Sequence, residues 1–307
     1  MSESTLQKLV GLARRAVRDL GGEATDAQLE LWATDVHESM SAGGRSFHDV
    51  GHVFDVAEGG NAVQVLAALF HDTVYMQVDG GLPSRLVDVL GDAFHVGPDG
   101  VALVIGDDPW KARLAQIFGF VDGQVLSPFA GLNELLSALF AVRRLHDVLP
   151  VDATVRVAVC IEATIPFRSA PGEGVSDALL ARVEGLGLAL DAVQAVKDAV
   201  GLANQDVANF AFADTARFLD NTWQLLPESN TQLRVRVYTI DQYHLAMKKM
   251  RGFFGFLKAE VVFRGFRGAP SPARLDALRA AAARNIELAH HYLTAKLLAA
   301  SLLQAIA

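Results

Sequence analysis

Three segments of this chain hold ionisable side chains whose types and spacing suit metal-ion chemistry. The first is Arg45-Ser46-Phe47-His48-Asp49-Val50-Gly51-His52-Val53. On a helix, His48 and His52 are four residues apart and share a face. Two imidazoles so placed can share a metal, or one can bind metal while the other acts on substrate. The second segment is Leu66-Ala67-Ala68-Leu69-Phe70-His71-Asp72-Thr73-Val74-Tyr75, an apolar helix that ends in adjacent His and Asp. Two ionisable groups after five apolar residues are costly unless satisfied, and a divalent cation satisfies them with mixed nitrogen and oxygen ligation. The third is Leu202-Ala203-Asn204-Gln205-Asp206-Val207-Ala208-Asn209, where Asp206 is the lone acid and a remote carboxylate would close a metal site.

The elements that must position these residues read as helical. Apolar residues recur with helical period over Asp26–Ser41, Phe47–Glu58, Asn61–Tyr75, Leu132–Leu149, Val151–Ala163, Ser176–Val200, Leu202–Ala211 and Ser271–Ala305. Gly21-Gly22, Gly43-Gly44, Gly59-Gly60, Gly80-Gly81 and Pro270 punctuate them, with Asp26 and Ser271 as expected caps. Val101–Ile105 and Val261–Phe263 are short apolar runs open to strand or buried turn. The expectation is an all-α fold, a helical bundle in one domain over residues 1–307. Its core covers 26–228 and a C-terminal helical extension covers 229–307, with a weak boundary near Ser229–Thr231.

Composition excludes several classes. The net charge of −8 argues against a binder of polymeric nucleic acid, which needs a basic face. A single cysteine, Cys160, sits in an apolar run, so neither a disulfide framework nor a cysteine-rich zinc module is expected. The N-terminus reads as an amphipathic helix, not a signal peptide, and no apolar run reaches the roughly 20 residues of a membrane span. A cytoplasmic protein without membrane partners is the expectation. Between Arg234 and Arg267 eight cations face only Asp241 and Glu260, a solvated face or a basic rim for a small anion. The second His-Asp pair, His146-Asp147, follows two arginines and reads as a solvated helix end. Phe253, Phe254, Phe256, Phe263 and Phe266 read as core. The Ala/Leu-rich C-terminal helix could pack against another chain, as in a homodimer.

An isolated His, then His-Asp, then a distant Asp, in that order, resembles the HD superfamily of metal-dependent phosphohydrolases. Phe47-His48-Asp49-x-x-His52 resembles the (Tyr/Phe)-His-Asn-x-x-His segment of class I cyclic-nucleotide phosphodiesterases, and Asn204–Asn209 is similar to their Ala-Asp-(Leu/Ile)-Ser-Asn segment. The resemblance covers roughly 45–209, and its specific part is about twenty residues. It implies an HD-type helical bundle in which His52, His71, Asp72 and Asp206 hold one or two divalent ions (Zn, Mn, Mg or Fe). It implies His48 as the proton donor to the leaving oxygen, and a small phosphorylated or nucleotide substrate. Arg45 and Arg168 are candidate phosphate clamps, and Gln242 is similar to the purine-selecting glutamine of the phosphodiesterases. Glu134 matches the acid that holds metal-bound water.

The pattern also departs from the phosphodiesterases. Their second histidine, three residues beyond the HD aspartate, is here Tyr75, and only 19 residues separate His52 from His71. Metal-assisted phosphoester hydrolysis is therefore expected. An HD-fold diiron oxygenase, with His95 or His146 as further ligands, stays open, as does a degenerate HD module that only binds a nucleotide or partner.

Overall fold

A computed structural model describes residues 3–168 and 174–306. The fold is all-α, with fifteen α-helices and one small sheet among the described residues. Contacts divide the chain into two compact units, Met1–Ala42 with His48–Asp206, and Gly43–Phe47 with Val207–Ala307. The expected weak boundary near Ser229–Thr231 falls inside the second unit.

The first unit contains α1 (Thr5–Asp19), α2 (Asp26–Met40), α3 (Val50–Ala57), α4 (Ala62–Phe70), α5 (Met76–Asp79), α6 (Ser84–Leu90), α7 (Pro109–Phe118), α8 (Leu132–Leu145), α9 (Val151–Ala163), α10 (Val175–Glu184) and α11 (Ala192–Asp206). Helices α4, α8 and α9 are apolar around most of their circumference, which suits only a central position. The outer helices are amphipathic. On α1 the buried residues Leu9, Ala13, Ala16 and Val17 recur at helical spacing on one stripe. Reciprocal capping boxes start α1 (Ser4 and Gln7), α2 (Thr25 and Gln28) and α4 (Asn61 and Gln64). Thr25, not Asp26, caps α2, because the Thr25–Gln28 pair satisfies two backbone donors at once. Asp26 instead pairs with Arg14 at 2.6 Å.

The expected single helix over Ser176–Val200 is two. Gly185 and Gly187 stop α10, and Asp191 restarts the chain by accepting from Gln194 N at 2.9 Å. Val101–Ile105 does contain a strand. β1 (Phe94–Gly97), β2 (Gly100–Leu103) and β3 (Val125–Leu126) form an antiparallel sheet in the order β1-β2-β3, with Phe94 opposite Leu103 and Val101 opposite Leu126.

Buried Asp198 on α11 ties three helices together. It accepts from Asn61 Nδ2 on the cap of α4 (2.9 Å), from Gln194 Nε2 (2.8 Å) and from Arg156 Nη2 on α9 (2.7 Å). Its carbonyl accepts from Gln64 Nε2 at 2.8 Å. Gly201 permits this approach, since a Cβ there would lie 2.5 Å from Gln64 Nε2.

The second unit contains α12 (Thr215–Ser229), α13 (Ile240–Phe256), α14 (Ala259–Val262) and α15 (Pro272–Ile306). Val261–Phe263 is thus mostly helical, not a strand. Phe210, Phe218 and Phe254 pack with centroids 5.4 to 6.5 Å apart. Phe254, Phe263 and Phe266 are core as expected, but Phe256 is 73% exposed. Fully buried Asn285 on α15 donates to the carbonyls of Phe210 and Phe212, both at 2.9 Å. Segment 43–47 is fastened to α12, where Glu228 accepts from the backbone N–H of Ser46 and Phe47 at 2.6 Å each.

Replacing Asp198 with Ala leaves two amides and a guanidinium without their acceptor at once. Because Arg156 is only a quarter exposed, the expected loss is about 3 kcal/mol of unfolding free energy. Urea denaturation would read this as a lower midpoint at unchanged slope.

Candidate metal centre

Four candidate ligands come from helix ends. His52 lies in the first turn of α3, His71 caps the C-terminus of α4 with Asp72 next, and Asp206 is the last residue of α11. The C-termini of α4 and α11 carry negative partial charge, which favours a cation between them.

His52 is aimed by the cap of its own helix. The Asp49 side chain accepts from His52 N at 3.1 Å and starts α3 at Val50. His48 therefore precedes the helix instead of sharing its face with His52, which corrects the sequence expectation. A carboxylate at the N-cap position satisfies an orphan N–H that a helix continuing back to Phe47 would leave no role for. The two rings meet nonetheless, edge to face with centroids 5.4 Å apart. Tyr75 packs edge-on against the His48 ring at 4.9 Å. Asp206 is steadied by its neighbour, since Gln205 Nε2 donates to the Asp55 carbonyl of α3 at 2.9 Å.

The loop after His71 is fixed to α8. Ser137 Oγ accepts from Val74 N at 3.0 Å, and Asn133 Oδ1 accepts from Met76 N at 3.1 Å. Asn133 also donates to Gln77 Oε1 at 2.8 Å. Neither Asn133 nor Ser137 figured among the expected site residues. Their signal is two polar side chains four apart in an apolar helix, flanking Glu134.

The donor atoms converge. His71 Nε2 lies 3.1 Å from Asp72 Oδ2 and 3.5 Å from Asp206 Oδ1. His52 Nε2 lies 3.1 Å from Asp206 Oδ1 and 3.7 Å from Asp72 Oδ2. All four ligand atoms fall within 4.8 Å of one another, in an arrangement that could hold a metal ion. A tetrahedral ion with bonds of about 2.1 Å spaces its donors by about 3.4 Å, in the middle of these separations. The His71 ring is turned the right way for a ligand. Its Nδ1–H donates to the Ala68 carbonyl at 2.9 Å, which directs Nε2 toward the cluster. That Nε2 is buried and, although near both carboxylates, has hydrogen-bond geometry to neither.

Charge in the cluster is unbalanced. Burial favours neutral His71, but Asp72 and Asp206 outweigh it and hold the imidazole well above its ordinary pKa. Burial likewise opposes the Asp72 carboxylate, yet His71 and His48 draw its pKa far below the usual range. Against the same burial, the hydrogen bond from His52 and the adjacent His71 imidazole bring Asp206 down to about 2. Both acids are thus ionised, and the site holds protons where a cation would replace them.

Glu134, in the first turn of α8, belongs to the same electrostatic neighbourhood. Burial, reinforced by Asp72 and Asp206, raises its pKa to about 7, and its Oε2 is sheltered without a hydrogen-bond partner. Arg168 is near enough to oppose that rise. Its guanidinium is engaged with fully buried Glu162 through bonds of 2.6 and 3.0 Å, alongside Arg182 at 2.7 Å. Arg45 and Gln242 belong to the second unit. Arg45 is buried, and Gln242 closes the capping box of α13 with Thr239. His95 stands exposed on β1, and His146 caps α8 beside exposed Asp147; neither joins the four ligands.

Glu134 gives a pH signature. Its folded pKa lies above the ordinary carboxylate value, so the folded chain holds this proton more tightly than the unfolded chain. The resulting stability is present in acid and lost as pH climbs through about 7. In metal-free protein, Glu134→Gln is expected to raise unfolding free energy on the order of 2 kcal/mol at pH 8 and little at pH 5. Denaturant titrations at the two pH values check this, and an equal effect at both would contradict it.

Compared with known proteins, the chain matches no family model, no curated protein and no solved structure.

Proposed function

We propose that the chain is a metal-dependent phosphohydrolase of the HD type, acting on a small phosphoester. The observation that carries this is the buried, unpartnered Nε2 of His71, converging with His52, Asp72 and Asp206 on one point. Two imidazole nitrogens and two carboxylate oxygens suit Zn, Mn or Fe. When bound, such an ion supplies Lewis acidity and lowers the pKa of coordinated water.

The remaining work falls to the chain's own side chains. His48 stands beside the ligands, oriented by Tyr75 on one side and His52 on the other, and donates a proton to the leaving oxygen. Glu134, with its pKa raised to about 7 by burial and by Asp72 and Asp206, can hold a proton near neutrality and orient water. The side chains of Asp72 and Asp206 are 21% and 16% exposed, against 7% and 1% for His52 and His71, so the carboxylates face the open side from which substrate approaches. The Phe47–His52 segment favours a nucleotide phosphodiester, cyclic or linear, as substrate.

Elemental analysis of purified protein, followed by a phosphodiesterase and nucleotidase panel with each metal, tests the proposal. One or two ions per chain are expected. His71→Ala and Asp72→Ala should abolish metal uptake, whereas His48→Ala should keep the metal and lose about 10²- to 10⁴-fold in turnover. Wild-type turnover in His48→Ala would remove the proton-donor role. Iron with oxygen consumption would indicate a diiron oxygenase, and a chain that takes up no metal would indicate a degenerate binding module.

A further inference from the structure

The second unit presents an apolar face that its own chain leaves uncovered. Helices α13 and α15 run antiparallel, in a register fixed by two contacts. Asp241 Oδ1 accepts from Gln304 Nε2 at 2.6 Å, and His244 Nε2 lies 3.1 Å from Ser301 Oγ. A step of three residues forward on α13 is matched by three back on α15. With about 100° per residue, this register divides each helix into two sides. One side of the pair is inward and holds Met247 and Phe254 of α13 with Ile286, Ala289, Leu293 and Leu297 of α15, all buried.

The other side faces outward on both helices. It holds Leu245 and Phe256 of α13 with Leu288, Leu298, Leu302 and Ile306 of α15, exposed by between 43 and 81%. Between them lie exposed Gly252 and Ala295, small enough for another helix to approach closely. From Leu288 to Ile306 the face runs about 27 Å, and it is two helices wide at about 10 Å each. Its footprint is about 500 Å² in projection, the scale at which exposed apolar surface marks a protein contact.

We infer that this face is a homodimer interface, in which two α13/α15 pairs close into a four-helix arrangement about a two-fold axis at Leu245. Charge pattern selects a second copy of this chain. Asp241, Leu245 and Lys249 follow one another at four-residue intervals on the outward side of α13. Read backwards, the same three positions present Lys249, Leu245 and Asp241. An antiparallel partner therefore sets the partner's Lys249 against Asp241 and the partner's Asp241 against Lys249, with the leucines meeting on the axis. This is the self-complementarity an isologous interface requires. An anionic lipid surface would favour cations bordering the apolar residues on both helices, but the outward stripe of α15 (Leu288, His291, Ala295, Leu298, Leu302 and Ile306) has no lysine or arginine.

Sedimentation velocity of the full chain across micromolar concentrations tests the interface, with circular dichroism to confirm folding. The wild type is expected as a dimer. Asp241→Lys and Lys249→Asp each place like charges together, and each should weaken association at least about tenfold. The double variant D241K/K249D restores opposite charges and should recover the dimer. Lys249 is exposed, so its variant keeps the test open if Asp241→Lys disturbs the Gln304 contact. A monomeric wild type overturns the proposal, as do single variants that dimerise normally or a double variant that stays monomeric. A monomer that cosediments with phosphatidylglycerol vesicles would overturn it in favour of lipid.

Discussion

Two carboxylates held against two imidazoles in a nearly closed space are the constraint to which the first unit is built. Asp72 and Asp206 stay ionised there although burial opposes it, because the His71 imidazole lies against both and a hydrogen bond from His52 favours the Asp206 carboxylate. Such a cluster is tolerable only if its members cannot drift apart and leave one charge alone. The architecture enforces that. The ends of α4 and α11 meet at the cluster, and toward their other ends Asp198 joins the cap of α4 to α11 and α9. A nine-residue helix spans about 13 Å, so the Asp198 junction fixes the relative register of helices whose far ends carry the ligands.

Rigidity near the cluster comes from polar groups embedded in apolar helices. Ser137 and Asn133 of α8 hold the loop bearing Asp72 and Tyr75, and Asp49 sets the start of the helix bearing His52. None of these residues needs to touch a ligand of the chain. Each removes a backbone degree of freedom next to one that does.

The residues that converge on the candidate site were legible in the sequence where they interrupt an apolar pattern: His71-Asp72 after five apolar residues, and Asp206 as the only acid of its stretch. The all-α class was legible from the same periodicity. What escaped depends on competition between local choices. Asp49 reads equally well as a residue inside a helix or as its cap, and the structure takes the cap, which leaves His48 outside the helix. Gly185 and Gly187 read as tolerable within a long helix, but Asp191 offers a new start that makes the break cheaper than continuing. The strands β1 and β3 are too short, at four and two residues, for period-two alternation to show. Phe256 was expected in the core on hydrophobicity alone, and hydrophobicity does not distinguish a core face from an outward one.

Charge distribution bears on how the candidate site would respond to a cation. The stretch from Arg234 to Arg267 carries +6, so the rest of the chain carries −14. The candidate site belongs to that acidic remainder, with Asp72, Asp206 and Glu134 in one neighbourhood. A phosphate oxygen about 4 Å from one carboxylate is repelled by about 4 kcal/mol per unit charge at an effective dielectric constant of 20. The raised pKa of His71 offsets one of the two carboxylates, and the other leaves a cost that a few hydrogen bonds of about 1 kcal/mol each do little more than balance. A divalent ion among the four ligands cancels both carboxylate charges and turns a site that excludes anions into one that admits them. On the proposed function, metal occupancy thus governs substrate entry as well as the chemical step.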